Sequence, residues 1–342
     1  MRPPYAPKRI LLTGATGTVG RAILPALSDL GAAMRFLVHR TPLGPLPELP
    51  GFEVRKGDLA RPPSLRGVAD GCDVVVHAGG RPSFASLSRD RLRKIHVAGT
   101  EALLREAQSA GVRAFVLIGY SGTVQEREDV IRPVCEDSVP EGRYESEFVR
   151  MKYEAEALVL EANRADGLRA LVVSPGVLAQ PGAGTMLGGL VAAFVDRELP
   201  YRVLDDVWLA TSDGSDVGRC VAGSISFGHG GRRYFAAGEC LRLGDLYALL
   251  SELSGVGPPR RRLPDLLVEE LGLLTPILPP RSFLRDLVLP RELVLHLKRL
   301  APLVNERTRA ELGLRPTALR ETLNRMIRGR ASSAGREAGL GA

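Results

Sequence analysis

The sequence predicts an α/β fold: a Rossmann-type, doubly wound parallel sheet with a smaller C-terminal lobe for substrate. Three observations carry this. Apolar runs at 34–38, 73–77, 114–118 and 170–173 read as buried parallel strands. Helical stretches at 18–31, 88–110 and 145–165 fill the gaps, and such alternation implies parallel pairing with helices on both faces. The glycine-rich run Thr13-Gly14-Ala15-Thr16-Gly17-Thr18-Val19-Gly20 follows the short apolar strand Ile10–Leu12 and opens a helix.

The elements follow in order. Glycines at 14, 17 and 20 suit a turn with no Cβ atoms in the way, with outward-facing N–H groups and a helix N-terminus that would face a dinucleotide pyrophosphate. Pro25 falls inside the first helix and should strain or kink it. The second strand ends in Phe36-Leu37-Val38-His39-Arg40. From residue 176 glycine and proline become frequent, and the chain reads as a helix at 186–198, a strand-like piece at 201–204 and a helix at 214–226. After 258, leucine-rich pieces are broken by Pro264, Pro276, Pro279, Pro280 and Pro290. The expected organisation is a nucleotide-binding domain over 1–175 and a substrate lobe over 176–330, with 201–226 returning to the first domain. Residues 331–342 are small and polar and read as a disordered tail.

Composition narrows the class. The chain has 342 residues, 44% hydrophobic and 25% charged, as in ordinary globular proteins. It shows no signal-peptide core and no apolar run long enough to cross a bilayer. Cys72, Cys135, Cys220 and Cys240 are widely spaced, which argues for a reducing compartment, hence the cytoplasm, and against a metal or disulfide framework. Residues 258–342 hold 16 Lys and Arg against 9 Asp and Glu, which accounts for the net charge of +7. These charges alternate with acids and apolar residues, so they read as a solvated face. A membrane contact through this apolar, basic lobe is the lesser alternative. Nucleic-acid binding has no motif behind it.

Further segments carry a resemblance. Gly57-Asp58-Leu59 follows the third strand, Val75-Val76-His77-Ala78-Gly79-Gly80 ends the fourth, Ser174-Pro175-Gly176 ends a later one, and Glu311-Leu312-Gly313-Leu314-Arg315-Pro316 lies near the end. With the glycine run, these resemble the extended short-chain dehydrogenase/reductases, the group of NAD(P)-dependent sugar epimerases, dihydroflavonol-type reductases and 3β-hydroxysteroid dehydrogenases. The resemblance spans Lys8 to about Arg328. It implies cofactor contacts at Gly14, Thr16, Gly17, Thr18, Val19, His39, Arg40, Asp58, Leu59, Ala78, Gly79, Lys152, Pro175 and Gly176, and a homodimer through helices 91–110 and 145–165. It implies substrate contacts at Ser83, Ser121, Gly122, Thr123 and Phe148.

Family chemistry rests on a Ser, a Tyr and a Lys, with Tyr and Lys one helical turn apart so that both share a face. Ser121 matches the serine. Lys152, one of five lysines in the chain, matches the lysine. Four residues before it stands Phe148, which keeps the ring and lacks the proton. A positioned general acid is worth roughly 10²–10⁴ in rate, so a conventional ketone reduction should be impaired unless another group supplies the proton. Tyr144, one turn earlier, is the first candidate; Tyr120 should face the other side of its strand and Tyr153 points about 100° away on an ideal helix. His96 stands where the family usually has Asn and reads as a satisfied helix histidine or, less simply, as a proton relay near neutral pH.

No acid ends the second strand, and Arg40 can meet a 2′-phosphate, so NADP(H) is favoured over NAD(H). The expected activity is an NAD(P)H-dependent oxidoreductase acting on a carbonyl or hydroxyl of a small apolar metabolite. The alternatives are a nucleotide-binding protein without redox turnover, serving as sensor, scaffold or partner subunit, and a nucleotide-sugar epimerase or dehydratase. Leu266, Leu267, Leu271, Leu273, Leu274, Ile277 and Leu278 read first as core packing and second as a pocket for a steroid-, terpenoid-, quinone- or polyketide-like molecule.

Overall fold

A computed structural model describes residues 5–81, 88–163, 167–181 and 184–274, then 289–330, with 331–339 as backbone. Seven parallel strands form the main sheet: β1 (Arg9–Thr13), β2 (Ala33–Val38), β3 (Phe52–Lys56), β4 (Val74–His77), β5 (Ala114–Ile118), β6 (Arg169–Pro175) and β9 (Arg233–Ala236). Their spatial order is β3-β2-β1-β4-β5-β6-β9. The order reverses between β1 and β4, where an open sheet of this kind binds ligands beyond its carboxyl edge.

The sheet is buried on both faces because its strands alternate side chains between two layers. Ile10, Leu12, Val74, Val76 and Val116 pack against α1 (Thr18–Ser28) and α7 (Gly214–Phe227), through Ile23, Leu27, Val217 and Val221. Leu11, Val75, Phe115 and Leu117 face the other way, onto α3 (Gly99–Ser109) and α5 (Glu147–Glu161), through Leu103, Ala107, Ala155 and Val159. A short helix α2 (Arg89–Arg93) runs through a π-helical turn, Lys94–Ala98, into α3. Pro25 lies within α1 on its exposed side, so the Arg21 carbonyl that it deprives of a donor can be hydrated.

The second lobe is built on a three-stranded sheet, β10-β8-β7, from β7 (Val177–Ala179), β8 (Trp208–Asp213) and β10 (Cys240–Arg242). Around it pack α6 (Met186–Val195), α8 (Leu243–Ser254), α9 (Asp265–Gly272), α10 (Arg291–Lys298) and α12 (Leu319–Gly339). Leu187, Phe194, Leu246, Leu250, Leu293, Leu297 and Leu323 fill the shared core. The remaining helices are α4 (Gly122–Gln125), beside the site, and α11 (Glu306–Leu312), which packs on α7.

Several elements differ from the sequence expectation. Residues 201–204 form no strand: Arg202 makes a single bridge to Arg262, and Leu204 at φ 55° breaks any extended run. The strand there is β8, in the small sheet, while α7 after it packs on α1. The main sheet gains β9, from beyond residue 226. Helix α12 continues to Gly339, through most of the segment that reads as a disordered tail. Leu266, Leu267, Leu273 and Leu274 lie in solvent rather than in the core, as α9 buries Val268 and Gly272. Ile277 and Leu278 fall outside the described residues.

One buried ion pair ties the site helix to the sheet edge. Glu156 on α5 pairs with Arg233 on β9 and accepts from Thr123 Oγ1 at 3.0 Å. Both charged side chains are almost fully buried. Glu156→Ala leaves the Arg233 charge buried and unpaired and should cost about 3–5 kcal/mol; urea unfolding of wild type and variant at pH 7 measures it.

Candidate functional site

The site begins where β1 ends. Gly14 takes φ +76°, and a Cβ there would lie 2.5 Å from Ala78 O and 2.7 Å from Gly79 N. The chain can turn here only because that atom is missing. Gly17 N–H donates to Gly14 O at 2.9 Å, and a Cβ on Gly20 would strike the Gly14 carbonyl. The glycines thus let one loop lie against itself and against the loop after β4.

A buried polar chain supports this contact from below. Gly79 N–H donates to Thr13 Oγ1 at 2.9 Å, and Thr13 Oγ1 lies 2.7 Å from His77 Nδ1. Thr100 Oγ1 donates to His96 O at 2.6 Å and lies 3.1 Å from His77 Nε2. Each threonine has one proton to give, so Thr13 donates to Nδ1 and His77 donates from Nε2 to Thr100. Burial, with Lys152 and His96 nearby, pulls His77 down to about 3, so the ring stays neutral in this role.

Above the chain lies a crevice of about 360 Å³. Gly14, Thr16 and Gly79 form its floor, with Leu37, His39 and Arg40 at the end of β2 and Asp58 and Leu59 after β3. Helix α1 starts at Thr18 with no side-chain cap and no acid in its first turn. An uncapped, acid-free N-terminus leaves N–H groups and positive partial charge for an anion. Arg40 adds an exposed guanidinium at the rim, and His39 Nε2 lies 3.4 Å from Asp58 Oδ2. The cradle that a Cβ would fill, the bare helix start and the rim cation all fit a dinucleotide.

The other half of the site lies past β5 and β6. Lys152 on α5 donates from Nζ to Ile118 O at 2.7 Å, at the tip of β5. Burial pulls its ammonium down to about 8, with Glu156 opposing the shift. Phe148, one turn earlier, packs edge-on against His96, ring centroids 5.5 Å apart. His96 Nε2 donates to Arg81 O at 3.1 Å. Desolvation and Lys152 pull His96 down to about 4, which favours a neutral ring near neutral pH.

The sequence-derived residues fall into two groups. Gly14, Thr16, His39, Arg40, Asp58, Leu59 and Gly79 line the crevice. Ala78 and Gly17 shape it, Val19 is partly buried in α1, and Thr18 Oγ1 donates to Gly184 O at 3.3 Å. Gly176 N–H donates to Ser212 Oγ at 2.9 Å, and Pro175 O accepts from Ser121 N–H at 2.9 Å. The second group is turned inward. Ser121 is fully buried and donates to Gln125 Oε1 at 2.6 Å. Thr123 is fully buried on Tyr120 O and Glu156, and Gly122 packs under the Tyr120 ring. Tyr144 donates to Thr123 O at 2.8 Å, and burial raises its hydroxyl far above its ordinary value. Ser83 lies outside the described residues.

Tyr120 does not face away from the site as strand alternation predicts. The strand ends at Ile118, and the turn through Gly119 brings the Tyr120 ring to 6.4 Å from Phe148. Sequence reasoning also missed Thr13 and His77, although both stand in quoted runs, and His296 and Glu126, for which no local pattern exists.

Comparison with known proteins agrees with this geometry. Residues 10–206 match the model of the NAD dependent epimerase/dehydratase family. Sterol demethylase protein B of Methylococcus capsulatus is 28% identical over 334 residues, covering 91% of this chain and 94% of that protein. A 3 beta-hydroxysteroid dehydrogenase/Delta 5-->4-isomerase of Mycobacterium tuberculosis is 29% identical over 185 residues, 52% of this chain and 49% of its own length. The crystal structure of gox2253 superposes with a TM-score of 0.79 at 26% identity, covering 95% of this chain and 98% of that one. The chain belongs to the NAD dependent epimerase/dehydratase family and is an NAD(P)-dependent oxidoreductase.

Proposed function

We propose that the protein interconverts a carbonyl and an alcohol on an apolar, polycyclic or long-chain substrate with NADP(H). The observation that carries this reading is the crevice at the sheet's switch point, with a bare helix N-terminus at one end and Arg40 at the other. Arg40 has no ion-pair partner among the described residues, which leaves its guanidinium for a 2′-phosphate. A bound dihydronicotinamide would supply hydride to the carbonyl carbon. Lys152, fixed on Ile118 O, would hold the ribose and place positive charge beside the reacting end. The exposed leucines of α9 and the sterol- and steroid-named relatives support the apolar substrate.

NADPH should bind more tightly than NADH. Arg40→Ala should weaken NADPH by about 10–100-fold, the worth of one charged hydrogen bond, and leave NADH unchanged. Isothermal titration measures both; equal wild-type affinities for the two cofactors would refute the NADP(H) preference.

The Lys152 charge should set an alkaline limb. Below about 8 the ammonium is present, and above it the charge is lost, so kcat/KM for a 3-ketosteroid should fall as pH rises through about 8. Lys152→Met should lower activity and remove that limb from the pH profile. A wild-type profile flat from pH 7 to about 9 would contradict this role.

A further inference from the structure

Phe148 leaves the matching position without a hydroxyl, and what replaces it rests on the oxidoreductase reading above. Among the described hydroxyls near it, Thr123 turns its own to Tyr120 O and Glu156. Ser121 spends its proton on Gln125 and Tyr144 on a backbone carbonyl. Tyr120 differs: its Oη lies 2.9 Å from His296 Nε2, a ring that can give a proton as well as accept one.

The contact continues inward. His296, on α10 of the second lobe, places Nδ1 2.6 Å from Glu126 Oε2. A carboxylate only accepts, so Nδ1 carries a proton and donates it. The other Glu126 oxygen accepts the Glu145 N–H at 2.6 Å. His296 and Glu126 side chains are both 0% exposed, whereas Tyr120 is partly exposed. The chain is therefore closed at its carboxylate end, and the Tyr120 ring at its other end lies beside Phe148.

The surrounding backbone is built around this chain. A Cβ on Gly122 would strike the Tyr120 ring and lie 2.9 Å from His296 Cε1. Glu126 and Leu300 form an antiparallel bridge, and Arg127 N–H donates to Arg299 O at 2.8 Å. The loop bearing Glu126 is thus stitched to the segment just after the helix bearing His296.

We propose that Tyr120 is the catalytic acid–base group, exchanging its proton with the substrate oxygen in place of residue 148, with His296 and Glu126 as positioning residues that resupply that proton. In reduction, the carbonyl carbon receives hydride while the Tyr120 O–H bond breaks and its proton joins the carbonyl oxygen. The phenolate then takes the Nε2 proton of a doubly protonated His296. The imidazole left behind is neutral, still donates Nδ1–H to Glu126, and regains its second proton from water by way of the Tyr120 hydroxyl once the alcohol has left. Oxidation runs the same transfers backward. Burial and the Glu126 charge raise the Tyr120 hydroxyl above its ordinary value, so a lone phenolate would be costly and the His296 proton is needed to quench it.

Two measurements test this. A crystal structure of the NADP⁺ complex should place Tyr120 Oη within about 7 Å of nicotinamide C4, the furthest a phenol can stand from C4 and still reach a carbonyl in hydride range. A greater distance overturns the proposal whatever the substrate. A crevice that binds no dinucleotide at all would instead remove the oxidoreductase reading beneath it. With a 3-ketosteroid as probe, Tyr120→Phe should lower kcat by about 10²–10⁴ while NADPH affinity, read by nucleotide fluorescence, stays unchanged. Retention of wild-type kcat overturns it. His296→Gln should lower kcat with KM unchanged and enlarge the solvent deuterium isotope effect. A raised KM with intact kcat would mean that His296 only holds the lobes together.

Discussion

Two backbones touch where β1 and β4 end, and the site depends on that contact. Gly14 can lie against Ala78 and Gly79 because it has no Cβ and can take a positive φ. Neighbouring strands lie about 4.8 Å apart, so the loops leaving β1 and β4 are close from the start. They must either collide or run in opposite directions. The glycine turn lets the first loop fold away into α1, and the space left over is the crevice. Thr13, His77 and Thr100 then hold the two strand tips and α3 at fixed spacing from beneath.

The buried charges near the crevice follow one rule: each is neutral or paired. His77 and His96 stay neutral because burial outweighs everything that would protonate them. Glu156 is paired with Arg233, and Glu126 with His296. Lys152 is the exception, with a carbonyl partner and no direct carboxylate contact among the described residues. A cation held this way retains field to spare for a ligand. Phe148 fits the same economy of polar groups, because its ring packs between His96 and Tyr120 without a hydroxyl to satisfy.

Local rules made much of the fold legible. The strand runs, the helix that follows the glycine turn, and the i, i+4 relation of residues 148 and 152 all depend on neighbours in sequence. Where the reading missed, a distant partner decided. Leu204 leaves the extended region, so residues 201–204 form no strand. Strand β9 joins the main sheet only because β6 offers it an edge. The α9 leucines look like core by composition, yet that helix turns Val268 and Gly272 inward instead.

The sequence by itself determined most strands of the sheet, the glycine turn after β1, Arg40 rather than an acid at the end of β2, and a phenylalanine at residue 148. These are properties of residue type at a place, and the chain carries them wherever it folds. Only the tertiary structure decided which hydroxyl could take over. Tyr120 and His296 stand 176 positions apart and belong to different lobes. No period or motif links such residues, because hydrogen bonds depend on distance in space and not along the chain.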